Sequence, residues 1–148
     1  MDRSVVHSPS PLAIYKQMQE AVLRDDQSTL LPASLLHEKL LVETPFAPAG
    51  MRRYESREAW LSYYASAGAG LLVRFEEFRE LATYQTADPD TIVVEYELTG
   101  VVRVTGVRAT VTCIAVLRVE DGLIIYWREY QDIPTITEAL SRQPENRA

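Results

Sequence analysis

The sequence predicts an α+β domain in which helices come first and pack on one face of an antiparallel sheet built from the strands that follow. Three observations lead there. Apolar residues recur at helical spacing ahead of Gly70. Runs rich in β-branched and aromatic residues then succeed one another from Thr91 to Asp132. Turn residues Asp88-Pro89-Asp90, Gly106 and Asp121-Gly122 divide those runs, as an antiparallel meander requires. The 148 residues suit one domain around one core, with 47% hydrophobic and 24% charged residues, which excludes a disordered or collagen-like chain. Fifteen basic against twenty-one acidic side chains give a net charge of -6, so neither nucleic acid nor an anionic membrane surface is an expected partner. A single cysteine, Cys113, excludes an intrachain disulfide and fits a reducing compartment. The opening MDRSVVHSPSP lacks the apolar core of a signal peptide, and no run approaches the ~18 apolar residues of a membrane span. The expected location is therefore cytoplasmic.

Residues 1–9 read as a flexible tail, residues 10–135 as a single domain, and residues 136–148 as a short helix and a frayed end. Ser10-Pro11 opens the first helix with a capping hydroxyl and a proline where its missing N–H costs nothing; Ile14, Met18, Ala21 and Val22 form its apolar stripe. Asp25, Asp26 and Ser28 break it and start a short second helix running through Leu36. A strand follows from His37 to Phe46, then a proline-glycine loop through Gly50. Ser56 caps a third helix with an aromatic face of Trp60, Tyr63 and Tyr64, stopped by Gly68 and Gly70. The segment LLVRFEEFRELATYQT fits helical spacing better than alternation, through Leu71, Leu72, Phe75, Phe78 and Ala82. Strands at Thr91 to Val104, Arg108 to Val119 and Leu123 to Asp132 complete the sheet, and Thr135 starts a last helix through Leu140. A strongly twisted sheet cannot lie flat on three short helices, so a pocket is expected between them.

The last hairpin can turn through Asp121-Gly122 or through Glu120-Asp121-Gly122. In the three-residue form Val119 opposes Leu123, Leu117 opposes Ile125, Ala115 opposes Trp127, Cys113 opposes Glu129 and Val111 opposes Gln131. One face is then nearly all apolar, whereas the two-residue form sets the polar ends of Tyr126, Arg128 and Tyr130 beside Leu117, Ala115 and Cys113. The three-residue form is the expected one. Glu129 is the one charged group on its apolar face, and a carboxylate so placed loses hydration and gains pKa, which suits it to proton transfer near neutrality. Tyr96, inward on the neighbouring strand, is the second candidate, able to hydrogen-bond a ligand oxygen. Trp127, Gln131, Trp60, Tyr63, Tyr64, Cys113, Ala115 and Met18 are the expected ligand-lining residues. Arg52-Arg53 borders the proline loop as a possible receiver of a carboxylate. The opposite sheet face carries Ile114, Val116, Ile124, Tyr126, Arg128 and Tyr130, too apolar to stay wet, and a homodimer would cover it. His7 and His37 share no ligand spacing with each other or with Cys113, so no metal is implied.

The segments LVETPFAPAG, YESREA, TADPDTIVVEY and DGLIIYWREYQD give the chain, over roughly residues 10 to 135, a resemblance to the nuclear-transport-factor-2-like superfamily, specifically to SnoaL-like proteins. The resemblance implies a cystatin-like, ketosteroid-isomerase-like roll: a curved antiparallel sheet wrapped over three N-terminal helices around a cone-shaped pocket, with dimers common. It also implies a long bent strand from about Val73 to Thr86, and strand replaces helix as the expectation there. Within the superfamily the chain looks closest to the phenazine-biosynthesis A/B proteins, whose acid/base glutamate falls on Glu129 after Arg128. Their helix-three histidine has no counterpart between positions 56 and 67. The ketosteroid isomerase set is absent, since its base falls at Thr44, its oxyanion aspartate near Ala115 and its tyrosine near Met18. The last-strand aspartate of a SnoaL cyclase is approached by Asp132, on the opposite parity from Glu129, where it suits a helix cap instead.

Two functions follow. One is a cofactor-independent acid/base enzyme, an isomerase, cyclase or dehydratase acting on a small apolar carbonyl, aromatic or polyketide-like compound. The other is a non-catalytic ligand-binding or dimerisation module.

Overall fold

The structure is a computed structural model that describes residues 9–24, 30–66 and 72–143, without the side chains of residues 64–66. Helix α1, Pro11–Leu23, begins where the sequence places it, with the Ser10 hydroxyl accepting from Ala13 N at 3.2 Å. The expected second helix reduces to a single 3-10 turn, Ala33–Leu35; its capping residues Asp25, Asp26 and Ser28 lie outside the described residues. Strand β1 is Leu36–Glu43, β2 Arg53–Tyr54 and helix α2 Arg57–Ser66, whose Ala59 N donates to the Ser56 hydroxyl at 2.9 Å. The glycines Gly68 and Gly70 lie outside the described residues. Strands β3, Val73–Gln85, β4, Thr91–Val102, β5, Arg108–Glu120, and β6, Leu123–Gln131, follow, and helix α3, Ile133–Ser141, ends the described chain. It is Asp132, not Thr135, that caps α3. Among the described residues no helix is long and apolar enough to cross a membrane.

The strands form one sheet in the order β2-β1-β6-β5-β4-β3. It is mixed, not antiparallel throughout: β1 runs parallel to β6, with Val42 opposite Trp127 and Glu43 opposite Arg128. Nothing in the β1 sequence marks which edge it will join, and a long connection can bring a strand back in either direction. Nor do three α-helices stand N-terminal to the sheet among the described residues: α1 and the 3-10 turn precede β1, α2 follows β2, and the third α-helix is α3, after the last strand.

Two β-bulges explain why β3 reads as a helix. The residues of β3 paired with inward positions of β4 are Val73, Phe75, Phe78, Glu80, Thr83 and Gln85, with register shifts after Phe75 and after Glu80. Each bulge lengthens one step of two residues to three, so apolar spacing drifts toward helical periodicity while the strand bends. Gly100 supports the bend. A Cβ there would lie 2.5 Å from Val73 Cγ1 and 3.2 Å from Phe75 Cδ1, so only glycine lets β3 come this close.

The last hairpin departs from the three-residue form. Glu120 pairs with Leu123 and Val119 with Ile124, leaving a two-residue turn with Asp121 at φ 54° and Gly122 at φ 74°. Two consecutive left-handed residues make the mirror-image turn that Asp-Gly favours. The extra residue is Ile125, a bulge between Ile124 and Tyr126 that restores parity: Leu117 opposes Trp127, Ala115 opposes Glu129 and Cys113 opposes Gln131. From Tyr126 onward the faces are thus as the sequence implies, while every pairing is displaced, because a bulge removes the conflict that counted against the shorter turn. Before the bulge the faces are reversed: Ile124, expected on the outer face, is buried in the core at 0% exposure, and Ile125, expected inward, lies beside Val116 and Tyr126 on the outer face. Trp127, Tyr96, Ala115 and Leu117 all turn inward at 0–1% exposure, against Ile14, Tyr15 and Met18 of α1.

Deleting Ile125 should reverse the parity of the rest of β6, driving Arg128 and Tyr130 inward and Trp127 and Glu129 outward. The expected outcome is loss of cooperative thermal unfolding by circular dichroism, whereas Ile125→Val should retain it.

Candidate functional site

A cavity of about 140 Å³ lies at one end of the inward sheet face. Its walls are Val73 and Phe75 of β3, Leu98, Gly100 and Val102 of β4, and Ala109, Val111 and Cys113 of β5. Ile136, Ala139 and Leu140 of α3 roof it, Leu30 closes one side, and Glu129 and Gln131 of β6 bring its polar groups. Leu140 is 44% exposed, so the cavity borders the surface at α3.

Glu129 is 3% exposed. The Tyr96 hydroxyl donates to its Oε1, and Gln131 Nε2 donates to its Oε2 at 2.8 Å. Burial pushes its carboxyl from the ordinary range up to about 7, and the Gln131 hydrogen bond pulls it part of the way back. Tyr96 is fixed by its neighbours: its ring stacks on Phe78 at 4.7 Å and 20°, with Tyr15 at 6.4 Å and Trp127 at 6.5 Å. The phenol therefore has one direction to point, toward Glu129.

Of the residues singled out from the sequence, Glu129, Gln131 and Cys113 come together in the cavity. Burial raises the Cys113 thiol to about 12, so it is a protonated, small apolar wall residue. Tyr96 is fully buried beneath Glu129, outside the lining, and reaches a ligand only through that carboxyl. Trp127, Ala115 and Met18, at 0–1% exposure, fill the core below the cavity instead of lining it. Trp60 and Tyr63 stand elsewhere: both pack on Tyr54 of β2, at 5.1 and 5.2 Å, because α2 lies over the β1 edge. The side chain of Tyr64 lies outside the described residues. Arg52 Nε donates to Ala47 O at 2.6 Å, and Arg53 pairs with Glu55 at 2.9 Å and Glu43 at 3.6 Å, so neither faces the cavity. Asp132 accepts from Thr135 N at 3.2 Å and from its hydroxyl at 2.6 Å, as a helix cap.

Sequence reasoning missed α3 as the roof. Its signal was present, since Ile136, Ala139 and Leu140 fall on one helical stripe that needs an apolar cover.

The SnoaL-like domain family model matches residues 15–127. An uncharacterized PhzA/B-like protein of Pseudomonas aeruginosa is 35% identical over 107 residues, which are 72% of this chain and 74% of that one. The crystal structure of a phenazine biosynthesis-related protein from Pseudomonas aeruginosa superposes with a TM-score of 0.63 at 16% identity, covering 93% of this chain and 88% of that one. The Delta 5-3-ketosteroid isomerase of a Mycobacterium species superposes with a TM-score of 0.65 at 23% identity, covering 86% of this chain and 97% of that one. At these identities both structures show a shared fold.

Because its folded pKa lies above the unfolded one, Glu129 favours folding most below pH ~4.5, and that contribution is lost as pH rises through about 7. Above that pH the buried charge costs about 3 kcal/mol, at ~1.4 kcal/mol per pKa unit. Glu129→Gln, which keeps the shape and lets Gln131 rotate its amide, should match the parent near pH 4 and exceed its stability at pH 8. Urea unfolding at the two pH values measures this.

Proposed function

Since the chain belongs to the SnoaL-like domain family, we propose that it is a cofactor-independent acid/base enzyme, of the isomerase, cyclase or dehydratase type, acting on a small apolar carbonyl compound. The observation that carries this reading is the Glu129 carboxyl at the inner end of an apolar cavity, raised to about 7 by burial. Near neutrality the group is present in both protonation states. The carboxylate can accept a proton from the carbon next to a ligand carbonyl, and the resulting acid can return it to another atom. Tyr96 is a positioning residue that sets the orientation of Oε1. Gln131 holds Oε2 and keeps the carboxylate form accessible by donating to it. Apolar walls exclude water, which keeps solvent from competing with the ligand for the Glu129 carboxyl.

The alternative is a module that holds an apolar ligand without turning it over. It is favoured by one feature: among the described lining residues no second side chain can transfer a proton in the ordinary pH range.

Exchange of deuterium from solvent into the position next to the carbonyl of cyclohexanone, followed by NMR, separates the two. An enzyme should raise exchange above buffer with a pH profile that breaks near 7, and Glu129→Gln should lower it at least ~100-fold. Binding without exchange supports the carrier. A carboxyl resonance of Glu129 titrating near the ordinary ~4.3 removes the acid/base reading.

We also propose that the outer sheet face pairs two copies of the chain. Ile114 is 40% and Phe46 63% exposed there, Phe46 stands edge-on to Tyr130 at 5.3 Å, and Arg128 lies over the Tyr126 and Tyr130 rings at 5.8 and 5.7 Å. Arg128 Nε has no hydrogen-bond partner among the described residues. Glu97 and Arg118 pair within the chain with Arg79 and Asp88, while acidic Glu95 stands on the same outward parity as Arg128, so these two can complement each other across two copies. Sedimentation should give a dimer for the parent and a monomer for Ile114→Glu.

A further inference from the structure

The cavity's size, charge and floor together define what it can hold. At about 140 Å³ it is close to the ~150 Å³ engineered apolar cavity, in an unrelated protein, that takes up benzene. The space does not continue inward. Tyr96, Tyr15, Met18 and Trp127 lie below Glu129 at 0–1% exposure, packed in one cluster, so a second fused ring cannot extend past Glu129, and α3 roofs the space above the ring. Among the described residues the lining contains no lysine, arginine or histidine. The arginines beside the β3 and β5 wall residues, Arg74 and Arg108, are held by Glu76 at 3.1 and 2.9 Å. An anion entering the cavity would thus leave water for a site whose one ionisable oxygen pair is acidic, with no counter-charge to receive it.

We propose that the site selects uncharged ligands of a single ring, or the acyclic equivalent of about six to ten non-hydrogen atoms, that present one hydrogen-bonding oxygen to Glu129, and that it excludes carboxylates and polycyclic compounds. The role of the oxygen rests on the acid/base reading; the limits on size and charge rest on the cavity alone. Gln131 and Glu129 bond to each other, so the ligand meets one polar point and is otherwise gripped by apolar surface. Such a ligand is placed by shape, and its oxygen can be satisfied only at the inner end.

The test is a binding series with three probes of defined size and charge: cyclohexanone, benzoate and a four-ring ketosteroid. Isothermal titration at pH 7.5 gives the affinities, and methyl NMR of Ala109 and Ala139 reports occupancy. Cyclohexanone should bind saturably and shift both methyls, with benzoate at least ~100-fold weaker because its charge is buried without a partner. The steroid should leave the methyls unmoved. Val111→Phe should fill the space and weaken cyclohexanone at least ~10-fold with thermal unfolding still cooperative. If that variant fails to fold, Ala109→Leu serves the same purpose from the opposite end of the β5 wall. Benzoate binding as tightly as cyclohexanone, or a steroid that binds with the same methyl shifts, overturns the proposal. Failure of the acid/base reading looks different: cyclohexanone binds as expected but gains no deuterium. A steroid that binds and exchanges would leave the chemistry standing and remove the size limit.

Discussion

A carboxyl group with 3% exposure can stay inside an apolar interior only if its oxygens find donors or its charge is given up, and Glu129 does both in part. Two neutral groups, the Tyr96 hydroxyl and the Gln131 amide, satisfy one oxygen each. Most of the surrounding architecture can be traced to that requirement. Tyr96 reaches Oε1 because Phe78, Tyr15 and Trp127 leave its ring no other orientation. Gln131 reaches Oε2 because it follows two residues later on the same face of β6. Both depend on the Ile125 bulge, without which β6 would present Arg128 and Tyr130 to the core.

Bulges also make the cavity. A flat sheet would bring its walls together, but the two irregularities in β3 and the close approach over Gly100 curl that edge back toward α3. The helix is anchored at its first residue by the Asp132 cap, one residue after Gln131, so roof and polar floor leave the same strand end. The aromatic cluster of Tyr54, Trp60 and Tyr63 packs at the β1 edge, while the cavity lies toward the β3 edge.

The inward residues of β4, β5 and the second half of β6 were legible because alternation sorts them and only one parity keeps Arg128 and Tyr130 out of the core, which puts Glu129 inside. Pairing was not legible. Moving the pairing by two residues preserves the faces from Tyr126 onward, so side-chain polarity cannot distinguish Ala115 opposite Glu129 from Ala115 opposite Trp127. The same limit hid the bulges in β3, where steps of three imitate a helix. Trp60, Tyr63 and Met18, expected to line a ligand, stand outside the cavity for another reason. An apolar face announces that something covers it but not whether the cover is protein or ligand, and here β2 and the core supply it. The α3 roof was written in the sequence as a short amphipathic stripe, overlooked because the chain end reads as polar.

The choice of partners around Glu129 sets what the site can do. An arginine or lysine at hydrogen-bond distance would hold the carboxylate charged and depress its pKa, producing a stable ion pair with little basicity. No donor at all would leave desolvation unopposed, and the group would stay protonated well above neutrality. Neutral donors occupy the middle: the Gln131 hydrogen bond favours the charged form without neutralising it, and its balance with burial falls at about 7. A phenol held rigidly by aromatic rings and an amide from the same strand achieve this without introducing a charge that a ligand would also feel. The apolar walls therefore do two things at once, raising the carboxyl into a useful range and leaving its proton as the main polar feature an entering molecule meets.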